Sequence, residues 1–148
     1  MAATQSQAVY ERLYRTFSAV DRAHERWLAG VGSNGARYAI LAALAEAKQP
    51  MTPSDVSDVT GRSPNAISPL LRALEREALI KRNPNSADRR SHYLALTAAG
   101  KRTAQKLRTE EQAFIRSVFK GRSTRDLASL EKSLLAIQER AGSVQRGR

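Results

Sequence analysis

Residues 52–78 read TPSDVSDVTGRSPNAISPLLRALEREA, and they contain two helix starts in close succession. Thr52-Pro53-Ser54-Asp55 has the form of a capping box. The Thr52 hydroxyl can accept from the Asp55 N–H while the Asp55 carboxylate reaches back to the N–H of Thr52. Pro53 falls at the first helical position, where its missing N–H costs nothing. Gly61 stops this helix early. Ser63-Pro64 repeats the cap-then-proline device and opens a longer helix through Ile67, Leu70, Leu71, Leu74 and Ala78. A short helix, a glycine turn and a longer capped helix make a helix-turn-helix outline.

The two faces of the longer helix carry more information than its outline. Ile67, Leu70, Leu71 and Leu74 form an inward face, and Asn65, Ser68, Arg72 and Arg76 form the opposite ridge at three- and four-residue steps. Amide, hydroxyl and guanidinium groups on one ridge are what major-groove reading requires, because they pair with base edges and phosphates. An ordinary solvated face has the same polarity. Pro69 interrupts the pattern, since an interior proline removes one helix hydrogen bond and bends the axis. The sequence supplies no reason for it.

Working outward, Leu79-Ile80-Lys81-Arg82 reads as a strand, and Asn83-Pro84-Asn85-Ser86-Ala87-Asp88 as a turn. His92, Leu94 and Leu96 alternate with Tyr93 and Ala95, as in a half-buried return strand. The hairpin is a wing attached to the candidate recognition helix, with Arg89 and Arg90 at its tip. Arginine there suits a narrow minor groove, although exposed hairpins also carry charge to protect their edges. Thr97 caps a helix expected from Ala98 to Phe119, with basic outer positions at Lys101, Arg102, Lys106, Arg108, Arg116 and Lys120. Ser123-Thr124-Arg125-Asp126 is a second capping box, opening a last helix through Leu127, Leu130, Leu134 and Ile137. Upstream, Val9, Leu13, Phe17, Val20, Trp27 and Leu28 mark a helix from Gln7 to Leu28. Asn34 caps another through Tyr38, Ile40, Leu41 and Leu44, ending near Gln49-Pro50.

Composition narrows the function classes. The 148 residues carry 25 Lys plus Arg against 14 Asp plus Glu, a net charge of +11, which favours a polyanionic partner. With no cysteine there is no disulfide scaffold, thiolate metal site or thiol redox sensing, and two histidines leave little for a metal centre. No cofactor, metal or catalytic residue is expected: phosphate-loop and dinucleotide fingerprints are missing. The Ser-x-x-Lys matches at Ser117 and Ser129 lack their partner motifs. No apolar run suits a membrane helix, and the first residues lack signal-peptide order. A cytoplasmic location is therefore expected, nucleoid-associated when bound to DNA.

Asp88-Arg89-Arg90 followed by Leu96-Thr97-Ala98-Ala99-Gly100 resembles the wing and following helix start of the multiple-antibiotic-resistance regulator (MarR) family of bacterial transcription factors. Ser63 through Ile80, with Leu-x-x-Leu-Glu-Arg and Leu-Ile-Lys-Arg, resembles the family's recognition helix and first wing strand. The resemblance implies a mainly α (α+β) fold. A winged helix-turn-helix lobe would occupy residues 34–100, and dimerisation helices residues 1–33 and 101–148. It also implies an obligate homodimer on a pseudo-palindromic duplex site. Leu13, Phe17, Val20, Phe114, Val118, Leu127, Leu130, Leu134 and Ile137 agree, being more apolar surface than one small winged helix covers.

By the same resemblance Ser63, Asn65, Ser68 and Arg72 face the major groove, Arg90 enters the minor groove and Asp88 braces the wing. Thr52, Ser54, Pro64 and Arg89 complete the expected DNA-facing set. A small aromatic or phenolic effector is expected in a cleft lined by Tyr14, His24, Trp27 and Tyr38, releasing a repressor from DNA. Each of those four also fits plain packing, and His24 an exposed helix position. Ala78 stands where the family often has glycine, and Pro64 and Pro69 are not general features of its recognition helix. Two other readings stay open: a sequence-indifferent architectural DNA binder, and a winged-helix protein-interaction module.

Overall fold

A computed structural model of the chain describes residues 4–85 and 91–144. Among them six helices and a two-stranded antiparallel sheet follow in the order α1 (Gln5–Ala29), α2 (Gly35–Glu46), α3 (Pro53–Thr60), α4 (Pro64–Arg76), β1 (Ile80–Pro84), β2 (His92–Leu96), α5 (Ala98–Val118) and α6 (Thr124–Ser143). The expected fold class, a mainly helical winged helix-turn-helix, is the one observed. Contacts divide the chain into two units, Met1–Ile115 and Arg116–Arg148.

In the first unit every helix start is closed by a local side chain. Asn34 accepts from the Arg37 N–H at 2.9 Å, and the Glu25 carboxylate of α1 accepts from the Gly35 N–H at 3.1 and 3.2 Å, so α1 also caps α2. Both halves of the Thr52–Asp55 box form, at 2.7 and 3.3 Å. Ser63 accepts from the Ala66 N–H at 3.3 Å. The ends of α3 and α4 are closed by left-handed residues. Gly61, at φ 63°, follows α3 in the left-handed conformation while Arg62 N–H donates to the Ser57 carbonyl at 3.1 Å.

After α4 the same closure is made by Ala78, at φ 54°. Its N–H donates to the Glu75 carbonyl at 2.9 Å, and the Leu79 N–H to the Leu74 carbonyl at 2.9 Å, which is a Schellman motif with alanine in the glycine place. That turn corrects two sequence expectations. Helix α4 ends at Arg76 rather than reaching Ala78, and β1 starts at Ile80 rather than Leu79, because both residues are spent on the closure. The strand also runs further than expected. Asn83 and Pro84, turn residues by their chemistry, instead pair with Tyr93 and His92. Pro84 is tolerated because β1 is an edge strand. His92, expected on the inward side with Leu94 and Leu96, is exposed, while Leu94 is buried.

Helix α2 stops at Glu46, short of Gln49-Pro50, and the chain turns extended at Ala47. The turn delivers Met51 to the sheet, where its carbonyl accepts from the Leu94 N–H at 2.7 Å. The core collects one face of each element: Leu28 of α1, Ile40 and Leu41 of α2, Val56 of α3, Ile67, Leu71 and Leu74 of α4, Ile80 and Leu94 of the wing, and Ala104 and Leu107 of α5. The first turn of α5 sits against the α4–β1 corner. Thr97 N–H donates to the Leu79 carbonyl at 3.0 Å, and its hydroxyl donates to the Ala78 carbonyl at 2.7 Å while accepting from Gly100 N–H at 3.0 Å. A Cβ on Gly100 would lie 1.9 Å from the Leu79 oxygen. This is why the Leu-Thr-x-x-Gly sequence has its form.

In the second unit Gly121, at φ 81°, turns the chain and Ser123 with Asp126 forms the expected capping box. None of the twenty residues of α6 is buried. Among the described residues no helix is long and apolar enough to cross a membrane.

Two substitutions test the α4–β1–α5 corner by thermal and urea unfolding. Ala78→Gly should stabilise by about 0.5–1 kcal/mol, the relief of a left-handed alanine less the added freedom of the unfolded chain. Gly100→Ala should destabilise by about 3 kcal/mol, because its methyl meets backbone rather than a movable side chain.

Candidate nucleic-acid interface

Helix α4 is amphipathic in the way its sequence predicts. Ile67 and Leu71 are 1% exposed and Leu74 fully buried, whereas Asn65, Ser68, Arg72 and Arg76 are all exposed. Arg72 makes no ion pair among the described residues, and neither does Arg62 in the turn before α4. The hydroxyls nearby are partly engaged. Ser68 donates to the Pro64 carbonyl at 3.0 Å, and Ser63 accepts the capping N–H. Thr52 donates to the Asp55 carboxylate at 2.8 Å and is half-buried, while Ser54 and Pro64 are exposed. Asp88, Arg89 and Arg90 lie outside the described residues.

Two ion pairs hold α4 in place, and no sequence pattern points to either. Arg37 of α2 grips Glu77, just past α4, through two parallel bonds of 2.6 and 2.5 Å. Arg82 of β1 donates to Glu75 at 2.7 Å. The Arg37 hydrogen bond holds the Glu77 carboxyl below its ordinary range, and the same bond raises Arg37. Hydrogen bonds from the Thr52 backbone and side chain likewise lower Asp55. The helix that presents the polar ridge is thus braced from the second helix and from the wing.

The four expected cleft residues part company. Tyr38 donates its hydroxyl to Glu111 of α5, and His24 Nε2 lies 3.8 Å from the other oxygen of that carboxylate. The His24 ring packs 5.1 Å from Phe114 and meets Tyr38 edge-on at 6.2 Å, so it is half-buried rather than exposed. Burial, then the bond to Glu111, raises the Tyr38 pKa. Trp27 shares Phe114 with His24, at 5.8 Å. Tyr14 lies apart, 68% exposed, in a groove with Tyr10, Glu11 and Arg15. Phe114, expected on the exposed apolar surface, is only 7% exposed because these rings cover it.

Tyr38 also lines a larger cleft of about 650 Å³, walled by Leu44, Met51 and Leu96 and edged by Lys48, Tyr93, Lys101 and Arg108. Arg108 is paired with Glu46 at 3.6 Å, leaving two lysines without an ion pair among the described residues. Sequence reasoning missed Glu111, Tyr93 and Lys101. The one available signal was the three-residue step from Glu111 to Phe114, which puts both on one face of α5. Among the described residues no group of three or more His, Asp or Glu side chains is placed to hold a metal.

A capped helix pair with a two-stranded wing at the end of its second helix is a winged helix-turn-helix. Residues 31–91 match the model of the MarR family. The chain is 30% identical over 69 residues to the uncharacterized HTH-type transcriptional regulator YsmB of Bacillus subtilis, a match covering 47% of each protein. It therefore spans about half the length of this curated relative. Its fold is similar to that of AbsC, a MarR family transcriptional regulator from Streptomyces coelicolor, with a TM-score of 0.82 and 25% identity over 97% of this chain and 99% of that one. It is also similar to Streptococcus pneumoniae FabT, crystallised in complex with DNA, with a TM-score of 0.77 and 22% identity over 95% of this chain and 100% of that one. Residues 31–91 thus match the MarR family, and the fold of the chain is similar to that of MarR-family winged-helix regulators.

The lowered carboxyls predict a pH dependence of stability. A group whose folded pKa is depressed contributes fully above its unfolded value and loses that contribution as pH falls through the folded one. Glu77→Gln should therefore cost about 0.5 kcal/mol near neutrality, the scale of a partly exposed pair. The difference from the parent should shrink as pH falls from the ordinary glutamate range through the lowered folded pKa. Unfolding midpoints of both proteins across that range check it, and a difference constant with pH would remove the Arg37–Glu77 pair from the stability of the lobe.

Proposed function

We propose that this protein is a homodimeric, sequence-specific double-stranded-DNA-binding regulator that lays α4 in the major groove and the wing tip over the adjacent minor groove. The observation that carries this reading is the exposed ridge of Asn65, Ser68, Arg72 and Arg76, free of ion pairs among the described residues, on the back of a buried apolar face. Donors left unpaired beside amide and hydroxyl groups match base edges and phosphates. The net charge of +11 supplies the attraction. FabT in complex with DNA, and the regulator AbsC, support the assignment by likeness of fold. Asn65, Ser68 and Arg72 read bases, with Ser63, Pro64, Thr52 and Ser54 beside them. Arg89 and Arg90 meet the minor groove, and Asp88 braces the wing.

The apolar faces support the dimer. Leu13 and Val20 of α1 are 36% and 38% exposed, and Phe17 is 68% exposed. On α6 the row Leu127, Leu130, Leu134 and Ile137 is 36–48% exposed and repeats at three- and four-residue steps, which is a seam awaiting another helix. A second copy of the chain covers both rows. Residues 1–33 and 101–148 then form the dimerisation region and 34–100 the DNA-binding lobe. The two recognition helices come to lie about 34–36 Å apart, one turn of duplex. The regulator acts in the cytoplasm as a repressor. A small aromatic or phenolic effector taken up beside Tyr38, between the rings of Tyr38 and Tyr93 and the Lys48 and Lys101 ammonium groups, favours a spacing that misfits the operator.

The deciding experiment is selection from a random duplex library at physiological salt, followed by sequencing. A two-fold-symmetric site with half-sites one turn apart is expected. Retention without enrichment would favour an architectural binder, and no retention a protein-interaction module. On the selected duplex Arg72→Ala and Arg90→Ala should each weaken binding about tenfold or more. Leu130→Glu with Leu134→Glu should convert the dimer to monomer in light scattering and abolish tight binding with it. Millimolar 4-hydroxybenzoate should release the selected duplex, and Lys101→Ala should blunt that release. Binding indifferent to any such phenol would remove the effector from the mechanism.

A further inference from the structure

Pro69 lies inside α4, where it has no N–H to give to the Asn65 carbonyl one turn back. It is exposed and takes no part in the core cluster, so packing does not explain it. Its place on the helix does. Asn65, Pro69 and Arg72 fall on one face at four- and three-residue steps, with Ser68 alongside, and all four are exposed. The Ser68 hydroxyl already donates to the Pro64 carbonyl at 3.0 Å, so outward it offers only acceptor lone pairs. The Asn65 carbonyl, deprived of its helical donor, is a second acceptor. The middle of the ridge therefore presents acceptors beside an apolar ring, followed one turn on by the Arg72 guanidinium.

In the major groove an A·T pair alone offers a methyl group, on thymine C5, together with an amino donor, adenine N6; a G·C pair offers the cytosine N4 donor without a methyl. We propose that Pro69 is a specificity-determining residue whose ring, with the Asn65 carbonyl it frees, reads one A·T pair in each half-site. This rests on the reading of α4 as the major-groove helix.

The test runs the parent protein and Pro69→Ala through the same random-duplex selection. Alanine restores the N–H and removes the ring, so the thermal midpoint of the variant should rise. The parent should enrich a symmetric site with a strong A·T position in each half. The variant should lose that preference about tenfold at that position alone, with neighbouring positions and affinity for random duplex unchanged. An unchanged base profile in the variant would overturn the proposal and leave the DNA-binding reading standing. Loss of preference across the whole site, or a lowered midpoint, would also overturn it, since Pro69 would then set the shape of the helix. Failure of the parent to enrich any site would overturn the underlying reading and this one together.

Discussion

The carbonyl oxygen of Leu79 is the point on which the first unit turns. It accepts from the Thr97 N–H at 3.0 Å and from the Thr97 hydroxyl at 3.2 Å, and the backbone of Gly100 passes so close that a Cβ would sit 1.9 Å away. The corner after α4, the return strand of the wing and the first turn of α5 are thereby locked to one atom. Because α4 ends in the Schellman closure that delivers Leu79, the direction of α4 and the start of the wing are set together. Arg37–Glu77 and Arg82–Glu75 then fasten the same helix from two sides. A helix held this way meets a ligand without paying to order itself, which is what preorganised recognition needs.

Rigidity in one place contrasts with incompleteness in another. The core is filled by eleven buried side chains drawn from α1 to α5 and the wing, and α6 contributes none. A helix of that length with a regular apolar row gains little by standing in water. The rows of α1 and α6 are exposed apolar surface, and the exposed ridge of α4 is polar surface. One lacks apolar cover, while the other carries arginines with no ion pair among the described residues. The two deficits differ in kind, and the proposed second copy and polyanion answer one each.

Helix starts were legible because a capping bond spans three residues. Asn34, Thr52, Ser63, Thr97 and Ser123 each accept from the N–H three positions on, as their sequence context predicts. Helix faces were legible for the same local reason: Ile67, Leu71 and Leu74 share a side by periodicity alone. Misreadings came where pairing or packing between segments outweighed a local rule. Asn83-Pro84 has turn chemistry but lies on a strand, since pairing with Tyr93 and His92 recovers more than the missing N–H costs on an edge. Phe114 looks like surface on a basic helix, yet His24 and Trp27, from a helix far away in sequence, roof it over.

What the sequence determined by itself is the set of elements, their order, and which side of each is apolar, together with the candidate ridge on α4. All of these follow from interactions within about one helical turn or one hairpin. The tertiary structure alone decided how the ridge is held and what surrounds the clefts. The Arg37–Glu77 grip joins residues 40 apart, and the Tyr38–Glu111 bond residues 73 apart. Nothing in the spacing of such residues distinguishes a partner from any other charge on the surface. Only the folded packing of α1, α2 and α5 brings Tyr38, His24 and Glu111 to one place, because contacts between distant segments depend on the whole core having formed.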